Sequence, residues 1–379
     1  MKPNLFIGVM SGTSIDSVDA ALMKINPKSW RFIGGHTIKF PKVLKSKLRE
    51  LSRSQYKVDL KTLIELNYKT GHLFAKCVNK LLFKESIDPS SVKAIGLHGQ
   101  TIMHHTATNF PGSLQIGDAA LVAKETGITV VSNFRNNDIA SGGEGAPFAP
   151  LFHSWLFLNK KVNRILINIG GVSNISLLLK NGNYKGYDIG PGNILMDSWS
   201  IANKKGDFDL KGQWAITGNI NHRLLSEFKK DAFFKRKPPK STGTDFYNLD
   251  FIIRAIKTCN QELRPEDVQR TLLEYTALMF AGIGEDNIAM PMEKRSRWVA
   301  ISGGGSKNNF LVERIEDLIY ILPGELQTTE AWGVESEWVE ALGFAYLAFL
   351  RTNEISVDLS KVTGSKGRIL LGNIHLPSQ

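Results

Sequence analysis

Phe6-Ile-Gly-Val-Met-Ser-Gly-Thr-Ser-Ile-Asp-Ser-Val-Asp-Ala-Ala-Leu22 continues an apolar run from Leu5 to Met10, then breaks at Ser11-Gly12-Thr13-Ser14. It resumes as Val18, Ala20 and Leu22, alternating with Asp19 and Ala21. An apolar run, a small-residue turn and an alternating run predict two strands joined by a tight hairpin. Gly12 allows the turn a backbone that a side chain would forbid. Ser11, Thr13 and Ser14 place three hydroxyls beside freed backbone N–H groups, which together make an anion nest. Asp16 and Asp19 follow, where a carboxylate can hold a magnesium ion or its waters. Alone, the stretch is also an ordinary polar hairpin, and the rest of the chain separates the two readings.

The same design recurs about 160 residues later. Arg164 to Leu179 is an apolar strand that reaches Gly170-Gly171, turns through Ser173-Asn174 and resumes as a second strand. Two such units predict a duplicated fold with one phosphate loop in each half. Trp298 to Val312 adds an apolar strand, the triple glycine Gly303-Gly304-Gly305, and a helix. Glycines at a strand-to-helix turn let the backbone lie flat against a planar or phosphorylated ligand near the positive helix end. The run is not G-x-G-x-x-G with a following acid, and no G-x-x-x-x-G-K-[ST] occurs, so dinucleotide-binding and Walker readings fail.

Between these units the spacing predicts a third strand over 30–40, helices over 42–51 and 60–83, and a buried strand Val92–Leu97 that runs into His98-Gly-Gln-Thr101. Polar residues where a core strand ends are the usual place for a ligand in an open α/β sheet. His98 reads either as a ligand-contacting donor or as a histidine satisfied by backbone, and His104-His105 reads as surface. Leu114–Asp118 is a strand, Ala119–Thr126 a helix stopped by Gly127, and Ile128–Val131 a strand. Asn133-Phe-Arg135 and Asp138 to Pro147 read as a loop with too little apolar mass to pack by itself, and as the domain boundary. Asp188 ends another strand, with Asn193 a candidate N-cap for the helix after it. A carboxylate there is a cap or, at the mouth of a cleft, a general base. Lys237 to Gly243 is rigid, then polar, then flexible, which suits a phosphate or sugar. Val268 to Ile283 and Glu335 to Leu350 read as helices.

Composition narrows the partners. The 379 residues are 42% hydrophobic, enough for two domains and a sizeable core. Two distant cysteines, Cys77 and Cys259, leave no disulfide framework and no zinc pattern, which fits a reducing, cytoplasmic setting. The opening apolar run is too short for a signal peptide, and Ala341–Leu350 is about half a membrane span. The net charge of +11 is scattered. Its densest cluster, Lys229 to Lys240, reads mostly as solvated surface with a minor role in steering an anion.

Eight strings in order carry a family resemblance: Met10-Ser-Gly-Thr-Ser-Ile-Asp16, His98-Gly-Gln-Thr101, Leu114-Gln-Ile-Gly-Asp118, Gly142-Gly-Glu-Gly-Ala-Pro147, Asn168-Ile-Gly-Gly171, Asp188-Ile-Gly-Pro-Gly-Asn193, Pro238-Pro-Lys-Ser-Thr-Gly243 and Ser302-Gly-Gly-Gly305. Over nearly its whole length the chain resembles the anhydro-N-acetylmuramic acid kinase family, within the sugar kinase, heat-shock chaperone and actin ATPase superfamily. The resemblance implies an α/β fold of two ribonuclease H-like domains, a duplicated actin-like ATPase fold with a central cleft. The expected limits are 1–133, completed by 351–379, and 134–350. It implies an ATP-dependent enzyme of peptidoglycan recycling that opens the 1,6-anhydro ring with water and phosphorylates the freed 6-hydroxyl. The catalytic aspartate falls on Asp188. The ATP segment falls on Gly12, Thr13, Ser14, Ile15, Asp16, Ser17, Val18 and Asp19, with Gly170, Gly171, Gly303, Gly304 and Gly305 completing the nucleotide set. His98, Gln100, Arg135, Gly145, Asn193 and Glu330 are the expected sugar contacts. ATP and magnesium are the expected cofactors. The expected partner is the small sugar, with no nucleic acid and no membrane, and a homodimer is left open.

The chain departs from the family pattern at four places. Ser17 stands for Gly, Ile189 for the Thr after the catalytic Asp, Asn133 for Asp, and Glu144 for Gln. The Ile189 change removes a hydroxyl near the base. Three rival readings are a kinase of the same superfamily with another sugar, separable by its product; a nucleotide switch, separable by sugar-independent ATP turnover; and, from the basic charge, a nucleic-acid binder, separable by salt-dependent binding to DNA.

Overall fold

A computed structural model describes residues 4–26, 29–52, 57–106, 109–237, 240, 242, 246–281, 298–320 and 324–377. The chain divides into two compact units. One runs to Leu156 and resumes at Glu337, and the other is Phe157–Ser336.

The first unit is built on a six-stranded sheet. Its strands are β1 (Leu5–Met10), β2 (Ser17–Asn26), β3 (Ser29–Lys39), β4 (Val92–Leu97), β5 (Val130–Ser132) and, from the end of the chain, β11 (Asn373–His375). The order is β11-β5-β4-β1-β2-β3. β1, β2 and β3 form an antiparallel meander, while β4 lies parallel to β1 and β5 parallel to β4. The second unit repeats this plan with β6 (Arg164–Ile169), β7 (Val172–Leu178), β8 (Tyr184–Pro191), β9 (Val299–Ser302) and β10 (Gln327–Thr328). Its order is β8-β7-β6-β9-β10, again a meander followed by two parallel strands beside its first. The duplication expected from the two strand–glycine–strand stretches is therefore a repeated topology.

Packing explains the less obvious residues. Gly8 and Gly96 face each other across β1 and β4. A Cβ on Gly8 would lie 1.7 Å from the Ala341 carbonyl oxygen, and one on Gly96 would lie 1.9 Å from that of Phe344. The helix Val339–Thr352 thus rests its backbone directly on the sheet, which only glycine permits. The other face carries the helix Leu60–Lys84, whose Leu66, Leu73, Phe74, Cys77, Val78 and Leu81 are buried. In the second unit Ile165, Ile167, Ile175, Leu272, Leu273 and Phe280 anchor a separate core.

Several expectations need correction. The unit limits fall at 156/157 and 336/337 rather than 133/134 and 350/351. The reason is packing: the helix Val339–Thr352 covers β1 and β4, and Trp155 stacks on Tyr346 at 4.2 Å. Residues Phe134–Ala140 form a helix, not a loop, because Phe134 and Ile139 have apolar neighbours to bury against. The last long helix begins at Val339 after a short 3-10 turn, and the expected 268–283 helix spans Pro265–Leu278. Residues 282–283 of that expectation, and 238–239, 241 and 243 of the Lys237–Gly243 stretch, lie outside the described residues. Lys240 is not solvated surface but buried, at 8% exposure. Both cysteines are free and buried. Among the described residues no helix is long and apolar enough to cross a membrane.

Candidate active site

In the first unit the glycine turn sits where β1 hands over to β2. Ile15 N–H donates to the Gly12 carbonyl at 3.1 Å and closes it. The left-handed backbone falls on Ile15, at φ 55°, and not on Gly12 as the sequence suggested. Ile15 is 1% exposed, so apolar burial holds a conformation costly for a β-branched residue. A Cβ on Gly12 would meet only the Ser14 hydroxyl, at 3.9 Å, leaving open space beside the turn. The buried Ser11 hydroxyl donates to Gln100 Oε1 at 2.6 Å, and Gln100 Nε2 donates to the Gly12 carbonyl at 3.3 Å. Gln100 is fully buried and braces the turn with its amide. Asp16 pairs with Lys45 at 2.6 Å, and Asp19 accepts from Thr37 at 2.7 Å.

Beside this turn stands a second polar group. His98 Nε2 faces the Arg135 guanidinium, at 3.2 Å from Nε and 2.9 Å from Nη2. Arg135 also donates to the Gly145 carbonyl at 2.8 Å. Burial, and then the Arg135 charge, hold His98 well below its ordinary pKa, so the ring is neutral. An imidazole that accepts at Nε2 carries its proton on Nδ1, and that atom has no partner among the described residues. Asp138 fixes the Gly145 loop, accepting from Gly145 N–H and from Thr363 Oγ1, each at 2.7 Å. His104, expected at the surface, is half-buried against Ser113, and burial lowers its pKa to about 4. Sequence reading missed Glu340. It lies in the first turn of the helix Val339–Thr352, and burial pushes its carboxyl up against the opposing pull of Arg135. Nothing near Glu340 in sequence marks it, because the charges of Asp19 and Arg135 reach it only through the fold.

The second unit gathers a different set. Asp188 on β8 is 5% exposed. Thr242 N–H donates to its Oδ2 at 3.0 Å, and its own N–H donates to the Lys240 carbonyl at 3.0 Å. Lys240 rests its ammonium 4.4 Å from the Phe233 ring centroid and donates to the Phe233 carbonyl. Burial lowers its pKa, against the stabilising charges of Asp231 and Asp188. β8 does not stop at Asp188. It continues to Pro191 with a register shift between Asp188 and Gly190. Ile189 packs in the apolar core at 5% exposure, so its departure from threonine is a core contact.

The Gly170-Gly171 turn is held by backbone. Gly192 N–H donates to the Gly171 carbonyl and Asn193 N–H to the Gly170 carbonyl, both at 2.8 Å. A Cβ on Gly192 would lie 2.2 Å from the Gly170 carbonyl oxygen. Gly303, at φ 82°, would bring a Cβ within 2.5 Å of Asn168 Oδ1, and Gly305 one within 2.2 Å of Ile169. Gly304 has room, its nearest neighbour being Asn193 Nδ2 at 3.8 Å. Asn193 starts the helix but makes no side-chain cap, contrary to expectation. Glu330 accepts at its carboxylate from Ser336 N–H at 3.0 Å and from the Ser336 hydroxyl at 3.1 Å.

Two units of one strand order, each with a glycine turn after its first strand, define the duplicated ribonuclease H-like, actin-like ATPase class. The chain belongs to the anhydro-N-acetylmuramic acid kinase family, whose model matches residues 4–377. It is 38% identical to the anhydro-N-acetylmuramic acid kinase of Pasteurella multocida, over 98% of this chain and 96% of that one. It is 40% identical to that of Pseudomonas savastanoi pv. phaseolicola and 38% to that of Photobacterium profundum, over 98% of each chain in both cases. The solved structure of a 2-hydroxyisocaproyl-CoA dehydratase activator from Clostridium difficile with bound ADPNP overlays with a TM-score of 0.46 at 13% identity, over 92% of this chain and 96% of that one. That overlay is too loose to bear on function.

Proposed function

We propose that this chain opens the 1,6-anhydro bond of anhydro-N-acetylmuramic acid with water and transfers the γ-phosphoryl group of ATP to the freed 6-oxygen. The observation that carries the proposal is the setting of Asp188, a buried residue whose carboxylate accepts from Thr242 N–H and whose backbone N–H donates to the Lys240 carbonyl. Asp188 takes one proton from water, and the water oxygen bonds to the anomeric carbon. The bond from that carbon to O6 breaks, and O6 leaves with the electron pair. O6 then attacks the γ-phosphorus, the bond to the bridging oxygen breaks, and ADP departs. Asp188 later releases its proton to solvent. A positioned base is worth about 10² to 10⁴ in rate, and the phosphoryl step needs positioning and charge neutralisation more than covalent chemistry.

The remaining roles follow the same reading. Gly12–Asp19, Gly170 and Gly171 take the phosphates, and Gly303–Gly305 take the adenosine. His98, through its Nδ1–H, Arg135, Gly145, Asn193 and Glu340 take the sugar. Gln100 acts through the turn it braces. Glu330, whose carboxylate also accepts from Ser336, joins the sugar set. A magnesium ion would arrive on the nucleotide, neutralising phosphate charge. Asp16 and Asp19 are the acids beside the first turn, and no cluster of three His, Cys, Asp or Glu among the described residues forms a metal cage of its own. We place the reaction in the cytoplasm, where ATP is available.

The test is ATP turnover with and without the anhydro sugar, on wild type and Asp188→Asn. Sugar-dependent turnover that the variant loses by about 10²-fold or more, at unchanged melting temperature, is the expected result. Turnover indifferent to the sugar overturns the substrate, and a variant as fast as wild type overturns the base.

A further inference from the structure

We propose that Asn174 is a second catalytic residue, which holds the attacking water together with Asp188. The inference rests on the reading of Asp188 as the base.

The register of the second sheet places the two residues side by side. Asp188 on β8 pairs directly with Asn174 on β7, Asn174 with Asn168 on β6, and Asn168 with Ser302 on β9. Directly paired residues project from the same face, so one polar row crosses four neighbouring strands. The register shift immediately after Asp188 marks the row's end, and such irregularities re-aim side chains beside active sites.

Ser302, Asn168 and Asp188 each have a hydrogen-bond partner among the described residues. Ser302 Oγ donates to Asn168 Oδ1 at 3.3 Å. Thr242 N–H donates to Asp188 Oδ2 at 3.0 Å. Asn174 Oδ1 is shielded from solvent and has no partner among the described residues. A buried amide oxygen left without a donor is rare in native folds and calls for an explanation. Strand position does not supply one, because asparagine is depleted in strands. A donor that belongs to the reaction does.

The chemistry fits the atom types. Directly opposed Cβ atoms on antiparallel strands lie about 4.5–5.5 Å apart, so one water can touch both side chains. That water donates one O–H to the Asp188 carboxylate and the other to Asn174 Oδ1. Its lone pair is then aimed by two fixed acceptors. The first proton passes to Asp188 as the oxygen bonds to the anomeric carbon, and the second stays on the new hydroxyl. Asn174 gains and loses nothing.

Four proteins test the idea: wild type, Asn174→Ala, Asn174→Ser and Asn174→Asp. Each is assayed for kcat and KM with the anhydro sugar, for binding of a non-hydrolysable ATP analogue, for melting temperature, and for the pH dependence of kcat. Asn174→Ala is expected to lower kcat by about 10- to 100-fold, with KM and analogue affinity within about threefold. Asn174→Asp places a like charge beside the base, which raises its pKa. The acidic limb of kcat therefore moves up by about one pH unit or more. A structural role would instead lower the melting temperature and leave the limb in place. If the alanine variant does not fold, the serine and aspartate variants carry the same comparison. Turnover within about threefold of wild type in a folded variant, or an unmoved limb in Asn174→Asp, overturns the proposal. If Asp188→Asn keeps wild-type turnover, the reading of the base has failed. If that variant is inactive while Asn174→Ala is fully active, only this inference has failed.

Discussion

The turn after β1 and the turn after β6 hold the same place in two sheets of the same order, yet they are secured by different means. One backbone bond, Ile15 N–H to the Gly12 carbonyl, closes the first, and side chains brace it: the Ser11 hydroxyl, the Gln100 amide and the buried Ile15. Backbone secures the second, through N–H groups of Gly192 and Asn193 on the carbonyls of Gly171 and Gly170. The glycines accordingly mean different things. Gly12 has open space where a Cβ would go, whereas Gly192 and Gly303 have carbonyl or amide oxygens within 2.6 Å. A glycine surrounded by protein is required by the packing whatever else it does, and one facing open space leaves room for something else.

The largest effect expected from this contrast is on stability. Gly192→Ala forces a Cβ against backbone that cannot step aside, a cost of about 3 kcal/mol. In a unit of this size that lowers the melting temperature by roughly 6–12 °C. A variant that melts with wild type would erase the distinction between the two turns.

Acid should separate the units next. His98, His104 and His153 all lie in the first unit, and burial lowers each, His104 to about 4 and His153 to about 3. Their folded pKa values lie below the unfolded value of about 6.5. Below that pH the unfolded chain therefore takes up protons that the folded unit refuses. Stability is fully present above pH 6.5 and falls by about 1.4 kcal/mol per pH unit for each histidine as the pH drops toward the folded values. The second unit has one histidine, His222, exposed on its helix. Hydrogen exchange read by peptide should show first-unit amides losing protection earlier between pH 6.5 and 4. Simultaneous loss in both units would contradict this.

The smallest structural effect, and the sharpest, belongs to Gly12→Ala. Its melting temperature should match wild type, because nothing in the fold meets the added methyl, while binding of an ATP analogue weakens by about tenfold or more, near 1.4 kcal/mol. Unchanged binding would mean that the open space at Gly12 is not for the nucleotide.

Much of this architecture was readable. Alternation marked β1 and β2, the Gly170-Gly171 repeat marked β6 and β7, and Gly127 ended its helix in the left-handed conformation, at φ 69°. What stayed hidden depended on distant residues. Gly8 and Gly96 look like flaws in apolar strands until a helix from the far end of the chain is laid across them. The left-handed residue of the first turn was assigned to Gly12 because glycine tolerates that backbone best, but burial kept Ile15 there. The bonds that hold Asp188 come from residues 240 and 242, more than fifty positions away, and the Arg135 charge reaches Glu340 only in the folded unit. Composition could not tell Lys240 from its solvated neighbours, since only the structure places the Phe233 ring beneath it.

The glycine pair under the helix Val339–Thr352 also sets a timetable for biosynthesis. β1 is made first, and the backbone that must lie against it is made about 330 residues later. At about 5–20 residues per second, roughly 15 to 65 seconds separate the two. The second unit is one continuous stretch, Phe157–Ser336, and is complete before that helix emerges. On the ribosome the later half of this protein is therefore able to mature ahead of the earlier half. Until that helix arrives, the glycine faces of β1 and β4 have no cover from it.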